Sequence, residues 1–265
     1  MKQKPSFPAK VEGLSPQKPQ STKPSLHFTA GAKELALDNF ASKASGVGLD
    51  SNKVRQSMVQ KLAEQGVQDE MVLRAFSVIE RHKFIDTALV NQAYEDTSLP
   101  IGFGQTISKP NVIGRMIELL RLGKNLMITG KLSRVLEIGT GCGYQAALLA
   151  QVSKEVYSIE RIQGLYEKAK ENLRPMRFPN IHLILGDGML GFEQGAPYAG
   201  IISAAGGDAI PTSWLDQLAI GGRLVAPVAH PNGTQVLVVI DKSETGFKKS
   251  FLEPVNFVPL RSGVA

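Results

Sequence analysis

The residues with the clearest capacity for chemistry lie in one run, Val135-Leu-Glu-Ile-Gly139-Thr-Gly141-Cys-Gly143-Tyr144. An apolar stretch leads into three glycines at alternate positions and then into a helical pattern. Glycines there let the backbone turn sharply and let a ligand lie against main-chain N–H groups at a helix N-terminus. Dinucleotide sites use a related loop, but their fingerprint wants a glycine where this chain has Tyr144. Glu137 stands two residues before the first glycine, next to where a pyrophosphate would sit. A carboxylate there repels phosphates and suits a cationic ligand such as a sulfonium amino acid. Cys142, between two glycines, reads as a small filler rather than a nucleophile, since no histidine is placed in sequence to activate it.

The pattern Glu-x-Gly-x-Gly-x-Gly resembles that of the class I S-adenosylmethionine-dependent methyltransferases. Two further acids suit the same cofactor. Glu160 closes the expected second strand and can accept hydrogen bonds from both ribose hydroxyls. Asp187, in Leu185-Gly-Asp-Gly188 after the expected third strand, can accept the adenine amino group. A cofactor site is therefore expected at Glu137, Gly139, Thr140, Gly141, Gly143, Glu160, Asp187 and Gly188.

A second motif, Leu99-Pro-Ile-Gly-Phe-Gly-Gln-Thr-Ile-Ser-Lys-Pro110, precedes this core. Together with Gly221-Gly-Arg-Leu-Val-Ala-Pro227, Phe257-Val-Pro-Leu260, Gly66-Val-Gln-Asp-Glu70 and Lys83-Phe-Ile-Asp86, it resembles the protein-L-isoaspartate O-methyltransferase family over roughly residues 54–260. The resemblance implies S-adenosyl-L-methionine as cofactor and the free carboxylate of L-isoaspartyl and D-aspartyl residues in damaged proteins as methyl acceptor. The ester then closes to a succinimide that can reopen as aspartate. It also implies that Ser108 is the catalytic residue, and that Gln105, Thr106 and Ile107 contact the cofactor or substrate. A monomer is the family default. The chain departs from the family where Tyr-Asp-Ala-Ile is common, reading Tyr198-Ala-Gly-Ile201, and where Thr-Ala-Ala-Pro is common, reading Ala204-Ala-Gly-Gly207.

These residues need elements to position them. Val54, Met58 and Leu62 recur at helical spacing with Gly66 as a stop, and Asp69 can cap a second helix bearing Val72, Phe76 and Ile79. Residues 94–110, rich in Gly, Pro, Ser and Thr, read as a loop before a third helix with Val112, Met116, Leu119 and Leu120 on one side. From residue 133 short apolar strands (134–138, 155–159, 182–185, 200–204, 223–228) alternate with helices (144–151, 163–173, 211–218). Two last strands, 235–240 and 251–259, flank a polar segment too short for a crossover. The expected fold is a doubly wound α/β domain over residues 51–265: a mostly parallel seven-stranded sheet with an antiparallel C-terminal strand. Residues 51–132 supply an N-terminal helical cover and substrate loop, and 133–265 the core.

Composition bounds the rest. Residues 1–50, with Pro5, Pro8, Pro16, Pro19 and Pro24 among lysines and serines, read as a disordered basic extension carrying seven lysines against four acids. The chain's net charge is +6, and half of it sits there, so the remaining 215 residues lack the basic stripe of a nucleic-acid binder. No apolar run reaches the roughly 20 residues needed to span a bilayer. One cysteine and four scattered histidines exclude a disulfide framework and any cysteine-based metal cluster. These features, without a targeting signal, lead to an expected cytoplasmic enzyme with neither nucleic-acid nor membrane partners. The alternatives are a nucleic-acid or small-molecule methyltransferase, or a cofactor-binding relative without activity. Against the first, Ser203-Ala-Ala-Gly-Gly207 offers no aromatic residue to stack on a base.

Overall fold

The computed structural model describes residues 52–124, 130–230 and 233–265. The expectation for residues 1–50 lies outside them. The N-terminal layer begins with α1 (Asn52–Glu64), which buries Met58 and Leu62. Gly66, at φ +105°, allows the chain to reverse after it. Asp69 then caps α2 (Glu70–Val78), its carboxylate accepting the N–H groups of Met71 and Val72 at 2.9 and 3.1 Å. The third helix, α3 (Pro110–Arg121), carries a proline in its first turn and buries Ile113, Met116, Ile117 and Leu120. A polar knot ties it to the α1–α2 turn. Glu118 accepts the N–H groups of Gln68 and Asp69 at 2.6 and 2.9 Å, and Arg121 meets Asp69 at 2.7 Å.

The stretch 94–110, expected as a loop, holds a two-stranded antiparallel hairpin, β1 (Leu99–Gly102) and β2 (Gln105–Ile107). Leu99, Ile101 and Ile107 point into the core. Gly102, Phe103 and Gly104 form the turn, all with positive φ (97°, 54° and 68°), so the flanking glycines are what allow so tight a reversal.

Seven strands form the main sheet: β3 (Leu132–Ile138), β4 (Ser153–Glu160), β5 (Ile181–Leu185), β6 (Tyr198–Ser203), β7 (Leu218–Ala229), β8 (Gln235–Ser243) and β9 (Gly246–Val255). Their order is β5-β4-β3-β6-β7-β8-β9. Strands β3 to β7 are mutually parallel, and β8 runs antiparallel to both its neighbours. The reversed strand is thus the penultimate one, and β9 again shares the direction of β7. The polar segment 241–249 is mostly strand rather than turn: Asp241 pairs with Lys248 and Lys242 with Phe247. An edge strand tolerates such charge because one of its sides faces water.

Helices α4 (Tyr144–Val152), α5 (Gln163–Leu173) and α6 (Thr212–Gln217) connect the parallel strands. The two faces are covered unequally. Val135, Val156, Ile202 and Val225 pack beneath the side carrying α3, α4 and α5, with α2 lying outside α4 and α1 against α2 and α3. Leu136, Ile138, Ile201 and Leu224 point to the opposite face, closed by Trp214 of α6 and by Tyr198. Successive side chains alternate between the faces, as a two-residue period demands. Because α4 is sandwiched, all its residues except Gln151 are buried. Gly200 lets α3 approach β6, since a methyl group there would lie 3.0 Å from Leu120 Cδ1. Gly200 is half of the departure at 199–200. The other half, Ala199, is 6% exposed, where an aspartate would be a buried carboxylate.

Candidate active site

A cavity of about 440 Å³ opens at the carboxyl ends of β3, β4 and β6, the place where open parallel sheets take ligands. The glycine loop forms its floor. Gly139 and Gly141 lie at φ +89° and +57° and line the cavity. Side chains at these positions would be strained, so the main chain itself faces the space. The N–H groups of Gly139 and Thr140 both bond the Ile159 carbonyl, at 2.9 and 3.1 Å, fixing the loop to the end of β4.

Glu160 stands on the wall, only 4% exposed. One of its oxygens accepts the Gly141 N–H at 2.8 Å and the other accepts the Ile162 N–H at 2.9 Å. A carboxylate oxygen has two acceptor positions, so each retains one for a ligand hydroxyl. Gly188 lies opposite, tightly packed: a methyl group there would sit 2.6 Å from Ile138 Cγ2. From the hairpin, Gln105 and Thr106 complete the same cavity.

The other expected site residues stand elsewhere. Glu137 is wholly buried and is not on the cavity wall. It shares the face of Val135, turned toward the first turn of α4. One of its oxygens accepts the Ser158 hydroxyl, and Oε1 has no protein partner. Ser158 in turn contacts Thr140 Oγ1 at 2.6 Å, which holds Thr140 beneath the loop. Burial pushes the Glu137 carboxyl up to about 8, against the lowering effect of the Ser158 hydroxyl and the nearby Gln145 side chain. Gly143 caps α4 from behind, against Leu173. Ile107 belongs to the core.

Asp187 adjoins Gly188 but is not on the cavity wall, and its oxygens accept the N–H groups of Met189 at 2.8 Å and Gly263 at 2.6 Å. Ser108 is half-buried just after β2. The alternation of an extended chain places it on the same side as Thr106 and opposite Ile107. Cys142 is buried, and burial pushes its thiol up, away from the reactive thiolate.

Reading the motifs did not anticipate several walls. Ile101, Phe103, Ile162 and Leu165 supply apolar surface, and residues 258–261 close the far side. The last segment is held by Gly206, whose N–H bonds the Val258 carbonyl at 2.9 Å and whose carbonyl accepts the Leu260 N–H at 2.8 Å. Gly207 makes that approach possible: a methyl there would lie 3.2 Å from Leu260 Cδ2. Beyond it, Ala265 bonds the main chain of Arg161 and Gln163, and the Arg161 guanidinium bonds the Gly263 and Ser262 carbonyls. The Val258-Pro-Leu260 motif was the signal for this wall, but nothing local said that it folds back onto β6.

The donor set fits S-adenosylmethionine. The volume suits a ligand of that size, glycine main chain faces the space, and a carboxylate is available for hydroxyls. Among the described residues no cluster of metal-ligating side chains occurs, and no helix is long and apolar enough to cross a membrane.

Comparison with known proteins agrees with this geometry. Residues 52–265 match the family model described as protein-L-isoaspartate(D-aspartate) O-methyltransferase. A protein-L-isoaspartate O-methyltransferase of Methylibium petroleiphilum is 50% identical over 262 residues, covering 98% of this chain and 96% of that protein. One from Leptothrix cholodnii is 50% identical over 254 residues, 95% of this chain and 87% of its own length. Among solved structures, a protein-L-isoaspartate O-methyltransferase aligns with TM-score 0.71 and 27% identity, over 79% of this chain and 67% of that one. A Plasmodium falciparum chain, described as a candidate for the same activity and solved with S-adenosyl-L-homocysteine, aligns with TM-score 0.66 and 26% identity. It is matched over 78% of this chain and 98% of its own. This chain therefore belongs to the protein-L-isoaspartate(D-aspartate) O-methyltransferase family.

Proposed function

We propose that this chain transfers the methyl group of S-adenosylmethionine to the free carboxylate of L-isoaspartyl and D-aspartyl residues in damaged proteins, starting their return to aspartate through a succinimide. The observation that carries this reading is the single cavity joining Gly139, Gly141 and Glu160 to Gln105 and Thr106 of the hairpin. On this reading the glycine loop and Glu160 hold the cofactor, with Glu160 accepting the ribose hydroxyls on its free lone pairs. Gly188 gives the adenine room, and Asp187 fixes the turn beside it. The bound cofactor supplies an electrophilic methyl on a sulfonium.

The acceptor needs no general base. A carboxylate has a reference pKa near 4, so at neutral pH it is already the nucleophile. What remains is to hold an oxygen in line with the methyl and keep water out, and orientation of this kind contributes up to about 7–11 kcal/mol in favourable systems. Ser108 is assigned the role of donating a hydrogen bond that orients the acceptor carboxylate without cancelling its charge. Thr106, on the same side of the chain, lines the path. Glu137 acts from below the loop through Ser158 and Thr140. The working unit is read as a monomer, and its place as the cytoplasm.

The test uses radiolabelled S-adenosylmethionine with matched peptides containing aspartate or L-isoaspartate. Base-labile methyl ester is expected on the isoaspartyl peptide alone. Equal labelling of both, or of neither, overturns the acceptor assignment, and labelling of nucleic acid instead would favour the alternative methyltransferase class.

A further inference from the structure

The β1–β2 hairpin does more than line the cavity: it is tied to two of the elements around it. Ile101 rests on the glycine loop, where a methyl group on Gly141 would lie 3.1 Å from Ile101 Cδ1. Two further contacts reach α5. Lys168 Nζ donates to the Ile101 carbonyl at 2.8 Å, and the Phe103 ring stands end-on over Gly164, where a methyl group would lie 2.1 Å from Cζ. Phe103 is 62% exposed and has φ +54°, an unusual conformation for a bulky residue. Apolar burial alone does not account for an aromatic residue there. Its ring is nevertheless seated on the one residue type in α5 that leaves it room.

We propose that Phe103, seated on Gly164, is a positioning residue for methyl transfer. Its ring latches the hairpin to α5, so that the segment Gln105–Ser108 stays registered over the bound cofactor and the cofactor leaves only when the latch opens. The proposal rests on the cofactor reading above. Gly164 is the second residue of α5 and has no positive φ, so alanine there is compatible with the helix and displaces only the far end of a mobile ring. Losing one aromatic contact raises the population of the lifted hairpin while the Lys168 and Ile101 ties persist.

The experiment uses the full chain and S-adenosylhomocysteine as probe, measuring its dissociation rate by stopped flow beside the KM and kcat for isoaspartyl peptide methylation. Gly164→Ala and Phe103→Ala are each expected to speed dissociation by roughly three- to tenfold. The KM for S-adenosylmethionine should rise by a similar factor and kcat fall as Ser108 loses its register, with unchanged melting temperature. The double variant should dissociate no faster than Phe103→Ala alone, because both changes remove the same contact. Dissociation within about twofold of wild type in both single variants, or additive effects in the double, would overturn the latch. If the unaltered chain fails to bind the probe, the cofactor reading falls and the latch with it; normal binding with unaffected variants removes the latch alone.

Discussion

Glu137 and Ser108 illustrate how differently two polar side chains can serve one site. Glu137 has no exposure, one hydroxyl partner and an unpartnered oxygen, so ionising it in place is unfavourable and its carboxyl is pushed up to about 8. Unfolded, the same group loses its proton near 4.5. Between those values the folded chain holds a proton that the unfolded chain does not. Stability therefore falls as pH rises through that window, by up to about 1.4 kcal/mol per pH unit. Glu137→Gln, which cannot ionise, should flatten this slope, as read from urea unfolding at several pH values. An unchanged slope would show that Glu137 is ionised in the folded chain. Ser108 is half-buried just after β2, so replacing it should cost little structure. Ser108→Ala is expected to lower kcat/KM for isoaspartyl peptide by roughly ten- to a hundredfold, the range for losing a hydrogen bond to a charged group, while S-adenosylhomocysteine affinity stays near wild type. Full activity in that variant would remove its assigned role. Sequence spacing brought Glu137 close to the site, but only strand register shows that it faces α4 rather than the cavity.

The elements show which local signals carry far. The Asp69 cap was legible because an acid just before an apolar period of 3.6 satisfies N–H groups that the helix leaves free. Less visible was the second use of that carboxylate, which also meets buried Arg121 across 52 residues. Asp69→Ala should therefore cost more than a cap alone. The loss of the cap and the stranding of a 5% exposed guanidinium predict about 2–4 kcal/mol in chemical denaturation. A cost below about 1 kcal/mol would mean that Arg121 finds another partner. The hairpin at 99–107 was not legible, because its strands are four and three residues long and its turn is written in glycines. Residues 241–249 misled for the opposite reason: polar side chains suggested a turn, while strands at this end of the sheet carry them on water-exposed faces. Tyr144 could be recognised as the wrong residue for a dinucleotide loop. Its positive role emerges only in three dimensions, where Phe76 and Phe84 meet its ring edge-on at 6.2 and 5.3 Å and the Arg81 guanidinium lies 5.2 Å away.

At the scale of the molecule, the parallel core was readable because each strand and helix repeats its own period, and buried strands announce themselves as apolar runs. The order of the sheet and the return of the chain after β9 were not, since both depend on pairings between segments far apart. The cavity gathers residues near 101–106, 139–141, 159–165, 188, 204–205 and 258–261. A chain ending after Val255 would keep every strand of the main sheet yet lack one wall. Such a truncation is expected to melt cooperatively but to gain little stability from S-adenosylhomocysteine, whereas the full chain should gain about 2.7 kcal/mol at a hundredfold excess over Kd. Equal gains, read by thermal shift, would show that residues 258–261 contribute nothing to binding.

That fold-back of residues 258–261 onto Gly206 also orders events in time. A ribosome releases the chain from its N-terminus, so the glycine loop and Glu160 emerge long before their far wall exists. Cofactor can meet its full set of contacts only once the final segment has docked, so the stability it adds is greatest for the finished fold.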